Sequence, residues 1–262
     1  MFVTRLISGV VLVAIALVTI GLGHWVLFGT LLLVSLIGAR ELYKAMKVGE
    51  KGISLLEAGG YAGIILYYLS MVFLEEKFHL AALLLGLAVL MSIYVFSYPR
   101  FHAHQVMAAF FGIVYVGVML SCIYRTRMLP GGQFHVWLIF LCSWGCDTFA
   151  YCVGMLFGKH KMAPVLSPKK SVEGAVGGVA GAVLLGVIFA AATKGPGAEY
   201  ALICGAGALI SMVGDLAASA IERNMEIKDY GKLIPGHGGI LDRFDSVIFT
   251  APVIYYLALV LT

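Results

Sequence analysis

The amino-acid sequence predicts an all-α, polytopic integral membrane protein, and three observations support that fold class. Of the 262 residues, 61% are hydrophobic and 12% are charged, whereas a soluble domain carries about 25% charged residues. Mean hydropathy is +0.98. Apolar runs of roughly 20 residues, the length that crosses a bilayer core of about 30 Å as a helix, recur along the whole chain. We therefore expect one membrane domain over residues 1–262 with about nine transmembrane helices.

Polar or turn-forming residues bound each apolar run. The nine predicted spans cover residues 6–22, 24–38, 58–74, 80–97, 105–124, 134–157, 174–192, 200–221 and 247–261. Only Gly23 and His24 separate the first two runs, which form either a tight hairpin or one bent element. A cleaved signal peptide is the alternative for the first run, but another run follows at once, so we interpret it as a span.

The two halves of the chain differ in character. Residues 1–130 hold the first five spans, with short loops, and this part is predicted to be mainly structural. Acidic residues, glycine clusters and the two long polar loops gather in residues 134–262, which we expect to be the catalytic half.

The distribution of Lys and Arg predicts the orientation, because cytoplasmic loops carry an excess of these residues. With the N-terminus in the cytoplasm, 14 of the 18 basic residues fall on the cytoplasmic side. Both long polar loops are then cytoplasmic, and an odd number of spans places the C-terminus outside. The net charge of +4 follows from this topology, and no basic stripe with interleaved aromatics indicates nucleic-acid binding.

Two carboxylates fall well inside predicted spans, Asp147 within 134–157 and Asp215 within 200–221. An ionisable group in the hydrocarbon region costs several kcal/mol unless it meets a partner, water or a cation, so each is a candidate functional residue. The alternative is a structural salt bridge or a protonated, hydrogen-bonded acid. We favour function for Asp215, whose helix leads into a polar block, and leave both interpretations open for Asp147.

A hydroxyl and lysine cluster precedes the seventh span. It consists of Ser167, Lys169, Lys170 and Ser171, just before a predicted helix start at Glu173 and Gly174. Free backbone N–H groups at a helix N-terminus, with lysines beside them, can hold an anion. A capped, positively charged cytoplasmic turn is the alternative.

The polar block at 219–246, SAIERNMEIKDYGKLIPGHGGILDRFDS, is the densest group of ionisable residues in the chain. Its carboxylates are Asp229, Asp242 and Asp245, and its cations include Arg223, Lys228 and Arg243. Carboxylate oxygens suit Mg²⁺, which takes one or two protein carboxylates together with water and substrate phosphates. Glycines such as those in PGHGG allow backbone N–H groups to point at an anion, and Arg binds phosphate with bidentate geometry. These are the parts of a metal-assisted phosphoryl-transfer site, and a solvated loop with local ion pairs is the alternative.

The same block resembles the signature of the phosphatidate cytidylyltransferases, also called CDP-diacylglycerol synthases. The matching residues are Ser219, Arg223, Lys228, Asp229, Gly231, the run 235–239, Asp242, Arg243, Asp245 and Ser246. Upstream, Asp147, Gly154, Gly158 and the segment SPKKSVEG at 167–174 are similar to a second region of that family. The front half matches only as a set of apolar spans.

The resemblance implies a nucleotidyltransferase of phospholipid biosynthesis that converts CTP and phosphatidic acid into CDP-diacylglycerol and pyrophosphate. It implies a multi-pass protein of a bacterial-type inner or plasma membrane, in contact with membrane lipid. The active site is expected to open to the cytosol for CTP and sideways to lipid, and the protein to form a homodimer.

On this resemblance we assign roles to single residues as hypotheses. Mg²⁺ is assigned to Asp229, Asp242 and Asp245, with Asp215 as a deeper ligand or the site of a second cation, monovalent or divalent. The predicted catalytic residues are Asp242, Asp245, Lys228, His237 and Arg243, with a turn-stabilising role as the alternative for His237. The predicted substrate-binding residues are Ser167, Lys169, Lys170, Ser171, Ser219, Arg223, Gly236, Gly238 and Gly239.

One position departs from the family pattern, because Glu222 stands where that pattern usually has Lys before Arg. The substitution is either a tolerated variation or one that lowers the affinity for nucleotide triphosphate. Three alternatives remain. One is an ion-coupled transporter, for which inverted repeats are not evident, and another is a different membrane enzyme, a CDP-alcohol phosphotransferase, whose DG and AR arrangement is missing. The third is a purely structural membrane protein, which would not need three clustered carboxylates facing a glycine turn.

Overall fold

The structure, a computed structural model, describes residues 2–49, 52–236 and 238–261, and for residues 2–6 the backbone alone. The described residues form nine helices and one small β-hairpin. The helices are α1 Phe2–Leu22, α2 His24–Ala45, α3 Leu55–Phe73, α4 Glu76–Phe96, α5 Ala103–Met128, α6 Gly132–Phe157, α7 Val172–Thr193, α8 Gly197–Asn224 and α9 Leu241–Leu261. The hairpin strands are β1 Lys161–Ala163 and β2 Ser167–Ser171.

Eight of the described helices are long and apolar enough to cross a membrane. The part of α1 whose side chains the structure describes, Ile7–Leu22, is apolar but shorter. The predicted all-α, polytopic membrane fold is confirmed. Several helices extend beyond the predicted spans; α2, for example, continues past residue 38 to Ala45. Hydropathy detects only the apolar part of a helix, whereas the helix itself continues for as long as its backbone hydrogen bonds do.

The first two apolar runs are separate helices. Gly23 and His24, the residues between them, both have positive φ, +64° and +40°. Glycine adopts this left-handed region without steric cost, whereas a residue with a side chain rarely does. The backbone therefore ends α1 at Leu22 and starts a new helix at His24.

The chain divides into two compact units. The first comprises Met1–Ile15, His24–Ser121 and Asp229–Asp242, and the second comprises Ala16–Gly23, Cys122–Lys228 and Arg243–Thr262. The glycine turn of the polar block thus belongs to the first unit, whereas the hairpin and α6 to α8 belong to the second. The predicted single domain with a structural and a catalytic half stays a prediction.

Tyr43 organises the core of the first unit. Its ring is fully buried, and its hydroxyl donates to the carbonyl of Ala109 at 2.8 Å. A Cβ at Gly60 or Gly112 would collide with this ring, so the two glycines make room for it. Small residues let a large aromatic side chain fill the space between helices without voids.

Glycines on α7 set the packing of the second unit. A Cβ at Gly177 would lie 2.5 Å from Val153, one at Gly178 would lie 2.9 Å from Cys146, and one at Gly181 would collide with Phe149. Helix α7 therefore approaches α6 closely, as small residues at membrane helix interfaces permit. It packs against α8 as well, so α7 lies between α6 and α8 in the second unit.

The β-hairpin between α6 and α7 was not predicted. Its strands are antiparallel, with Lys161 opposite Ser171 and Ala163 opposite Ser167. The strands hold three and five residues, which is too short for an alternating hydrophobic pattern to be visible.

Candidate active site

Three carboxylates of the second unit lie close enough to interact electrostatically. Asp147 lies on α6, Asp215 on α8 and Asp245 on α9, and each interacts electrostatically with the other two. Asp147 follows a π-helical turn at Leu141–Gly145, an irregularity often found at functional sites. Like charges held this close repel one another unless cations or protons compensate them.

Hydrogen bonds from Ser246 orient two of these acids. The Ser246 hydroxyl donates to Oδ2 of Asp147 at 3.3 Å, and its backbone N–H donates to Oδ1 of Asp245 at 2.6 Å. Ser246 is 1% exposed, so its side chain has no water to bond instead. The residue therefore ties the acid on α6 to the acid on α9.

Two cations compensate part of the negative charge. Nζ of Lys170, on β2, lies 2.5 Å from Oδ2 of Asp215, and the two side chains are 25% and 26% exposed. Arg243 interacts electrostatically with Asp147 and Asp245, and its carbonyl accepts from Nε1 of Trp144 at 3.3 Å. The sequence placed Lys170 and Asp215 in separate predicted roles, and the structure joins them as one ion pair.

A pocket of about 310 Å³ opens beside this cluster. Its polar lining comprises Asp147, Tyr151, Lys169, Lys170, Ser171 and Asp215, and its apolar lining includes Met155, Met162 and Met212. Carboxylates and lysines thus share one concave surface with apolar side chains, as is typical of a small-molecule site.

Ser171 has a local structural role at the start of α7. It is the N-cap residue, and its hydroxyl accepts from the backbone N–H of Gly174 at 3.1 Å. Glu173 closes the base of the hairpin by accepting from the N–H groups of Lys159 and His160, at 3.1 and 3.2 Å. The capped turn weighed as an alternative from the sequence is therefore present, and it lies beside a pocket that Lys169 and Lys170 line.

The glycine turn folds around Asp242 in the first unit. Oδ1 of Asp242 accepts from the N–H of Tyr230 at 3.0 Å, and Oδ2 accepts from Gly239 at 2.5 Å and Gly231 at 3.4 Å. Gly236 and Gly238 have φ of +77° and +88°, which only glycine adopts readily. The anion that the turn binds here is a carboxylate of the protein itself.

Glu41 on α2 is a residue that the sequence analysis missed. Its two carboxylate oxygens accept from the N–H groups of Ile240 at 3.1 Å and Leu241 at 2.9 Å, and the residue is 9% exposed. A Cβ at Gly231 or Gly239 would collide with this carboxylate. About 200 residues separate Glu41 from its hydrogen-bond partners. In the sequence it stands near Arg40 and Lys44, so it looks like a charged residue at the membrane interface and not like a site residue.

The other predicted site residues make none of the contacts described above. Ser219 is half-buried on α8, whereas Arg223 is exposed, with Nη1 3.7 Å from Glu222 and 3.3 Å from the carbonyl of Ile227. Ser167 is half-buried at the start of β2, and Lys228 and Asp229 are exposed. His237 lies outside the described residues. Within the described ranges, no three His, Cys, Asp or Glu side chains are placed to hold a metal ion together.

Comparisons with known proteins agree with one another. A model of the cytidylyltransferase family matches residues 3–261. A phosphatidate cytidylyltransferase of Synechocystis sp. is 31% identical, over 98% of this chain and 96% of its own length. Proteins of the same name from Rickettsia prowazekii and Bacillus subtilis are 32% and 30% identical, over 79% and 86% of this chain and 92% and 87% of their own lengths.

Proposed function

Because the chain belongs to the cytidylyltransferase family, we propose that the pocket and acid cluster of its second unit carry out the phosphatidate cytidylyltransferase reaction. The protein is an enzyme, a nucleotidyltransferase of phospholipid biosynthesis. It transfers the cytidylyl group of CTP to phosphatidic acid, which gives CDP-diacylglycerol and pyrophosphate. Family membership decides against the transporter and the CDP-alcohol phosphotransferase that the sequence alone left as alternatives.

The reaction requires neutralisation of the phosphate charges more than it requires a strong base. A phosphate oxygen of phosphatidic acid attacks the α-phosphorus of CTP, and the bond from that phosphorus to the bridging oxygen of the β-phosphate breaks. Phosphatidic acid is a phosphate monoester, whose second ionisation lies near pH 6, so its oxygen is already anionic. Positioning and electrostatic stabilisation then dominate the catalysis.

The observation that carries the proposal is the Lys170–Asp215 pair at the edge of the pocket. A triphosphate and a lipid phosphate bring several negative charges into a site that already holds three carboxylates. Lys169 and Lys170 line the pocket, and Arg243 interacts with two of the acids. We assign these three cations to the phosphates, with Arg243 able to bind in bidentate geometry.

The donor set of the acid cluster fits Mg²⁺. No described group of three ligating side chains is preassembled, but Mg²⁺ needs only one or two carboxylates and completes its octahedron with water and substrate phosphates. Asp147 and Asp245, with Asp215 released from Lys170 or serving a second cation, would hold it. When bound, the metal supplies Lewis-acid stabilisation of phosphate charge.

The contacts of Asp242 favour a role in holding the glycine turn. Three backbone N–H groups already use both of its oxygens, which leaves fewer lone pairs for a metal. We keep Asp229 as a candidate metal ligand and Gly236 and Gly238 as candidates for close approach to phosphate. The N–H of Gly239 already donates to Asp242, so we assign this glycine to the contact with Glu41. Ser167, Ser219, Arg223, Lys228 and His237 stay candidates for the substrate's outer phosphates.

The lipid substrate is proposed to enter from the side. Tyr151 and Met155 line the pocket, and both side chains are exposed on α6, at 70% and 66%. An opening lined by an aromatic ring and a thioether would let acyl chains stay in the bilayer while the headgroup reaches Lys169 and Lys170. The charged lining residues Asp147, Lys169, Lys170 and Asp215 would receive the polar CTP.

We propose a cytoplasmic orientation for this site, on the strength of the positive-inside rule. A C-terminal fusion to alkaline phosphatase should then be active, and one to a fluorescent protein that matures only in the cytoplasm should be dark. The reverse result would overturn the orientation. A homodimer also stays a proposal, which the mass of the detergent-solubilised protein by light scattering would test.

Turnover by the purified protein tests the proposed function. Protein in detergent with CTP, phosphatidic acid and Mg²⁺ should release pyrophosphate, and EDTA should stop the release. Folded protein that releases no pyrophosphate in the presence of both substrates would refute it.

A further inference from the structure

Glu41 caps α9 from a different helix. Leu241 is the first residue of α9, and the first N–H groups of a helix have no partner within the helix. Oε2 of Glu41 accepts from Leu241, and Oε1 accepts from Ile240 just before it. A negative charge at this end of a helix also interacts favourably with the helix dipole.

The same carboxylate is enclosed by the glycine turn. Gly231 and Gly239 both approach it so closely that neither position has room for a Cβ. Asp242, the second residue of α9, accepts hydrogen bonds from the N–H groups of Tyr230, Gly231 and Gly239. Two carboxylates, one on α2 and one on α9, therefore hold both ends of the glycine turn, at residues 230–231 and 239–241.

The residues that follow this segment on α9 are site residues. Arg243 and Asp245 lie within about one helical turn of Leu241, so any rotation or shift of the start of α9 moves both side chains. A rigid cap at Leu241 is therefore a means of holding these two groups in place, as catalytic geometry requires.

We propose that Glu41 is a positioning residue for cytidylyl transfer, which holds the glycine turn and the first turn of α9 without touching either substrate. This inference rests on the proposed function. Glu41 is buried, and Gly231 and Gly239 leave no space beside its carboxylate. Both observations favour a permanent contact between Glu41 and the glycine turn over a site that substrate phosphate would enter.

Glu41→Gln is the informative substitution. Glutamine keeps the length and one acceptor oxygen, but its NH₂ group faces a backbone N–H, so one amide loses its partner. A buried donor left without an acceptor weakens the local structure substantially, and we expect kcat to fall about tenfold or more with KM for CTP nearly unchanged. Glu41→Asp keeps the charge but shortens the reach, and it should not restore kcat.

Glu57→Gln is the matched control. Glu57 is also a buried glutamate of the first unit, 7% exposed, and it accepts from the N–H of Ser54 at 3.1 Å in the capping box of α3. This variant should lose thermal stability without a comparable loss of kcat. A merely structural role for Glu41 would make the two variants alike.

Hydrogen exchange provides a measurement that does not depend on turnover. Peptides that cover 229–241 should exchange about tenfold faster in Glu41→Gln than in the wild type, whereas in Glu57→Gln they should exchange at the wild-type rate. Exchange is measured without substrate and therefore does not depend on the proposed function. A wild-type protein without turnover would contradict the proposed function, whereas faster exchange in Glu41→Gln would still support the contact of Glu41 with the glycine turn.

Two results would overturn the inference. One is a Glu41→Gln enzyme whose kcat and 229–241 exchange match those of Glu57→Gln. The other is a lower KM for CTP in Glu41→Gln, which would mean that Glu41 occupies an anion site that the triphosphate uses. If Glu41→Gln does not fold, Gly231→Ala tests the same contact from the other side, with the same expected fall in kcat and rise in exchange.

Discussion

The ammonium nitrogen of Lys170 lies 2.5 Å from Oδ2 of Asp215, and the pair joins the β-hairpin to α8 at the edge of the pocket. Both side chains remain about one-quarter exposed. The charged nitrogen of Lys170 is itself buried, and the cost of taking a buried pair out of water offsets much of its attraction, whereas the pair keeps a cation ready where phosphate charge arrives. The pair is therefore better explained by function than by folding.

Replacing Lys170 with alanine should lower kcat/KM by about 100-fold, because one preorganised cation in such a site is worth that much. The thermal midpoint should fall as well, because the partly buried Asp215 loses its cation. Lys161→Ala is the control, since Lys161 is exposed on the neighbouring strand β1. Steady-state kinetics of the two variants would decide, and equal activities would remove Lys170 from the site.

Asp245→Asn should lower turnover by at least about 100-fold while the protein still folds, because the side chain loses the charge that a cation needs. Asp147→Asn should have a similar effect, since Ser246 ties the two residues together. Titration of activity with Mg²⁺ should show a higher midpoint wherever residual turnover can be measured. Glu226→Gln, an exposed control, should behave as the wild type; near-normal rates in Asp245→Asn would contradict the metal assignment.

Much of this site could be predicted from the sequence. Asp147, Asp215, Asp245 and Lys170 were identifiable because ionisable residues are rare in an apolar chain and because the motif around Asp245 is specific. The contact between Glu41 and Leu241 could not be, since no local pattern links residues about 200 positions apart. The structure explains Gly231 and Gly239 afterwards: neither has a positive φ, so the close approach of Glu41 accounts for them better than a turn does.

Gly239→Ala should reduce activity by about tenfold or more, because its Cβ would collide with the Glu41 carboxylate and force the glycine turn to move. Gly29→Ala is the matched control: Gly29 lies within α2, and a Cβ there meets nothing within 4 Å. That substitution should leave activity unchanged and stabilise the helix by about 0.5–1 kcal/mol. Kinetics and thermal unfolding of the pair measure both effects, and equal activity in the two variants would show that the turn tolerates a side chain.

Glu222 is the position at which the chain departs from the family pattern. Its carboxylate oxygen Oε2 lies 3.7 Å from Nη1 of Arg223, and its side chain is 13% exposed. Removing this negative charge should raise the positive potential around Arg223, so Glu222→Gln and Glu222→Lys should lower KM for CTP about two- to fivefold with kcat unchanged. An unchanged KM in both variants would mean that the departure is neutral.

The most direct test of the account follows the phosphorus atoms. Wild-type protein is supplied with phosphatidic acid, Mg²⁺ and CTP radiolabelled at the α-phosphate, and the lipid and aqueous fractions are counted alongside pyrophosphate. The account predicts that the label enters the lipid fraction as CDP-diacylglycerol, with one pyrophosphate released for each label transferred, and that Lys170→Ala and Asp245→Asn lose both. Label that stays in the aqueous fraction while CTP is consumed would contradict cytidylyl transfer to the lipid.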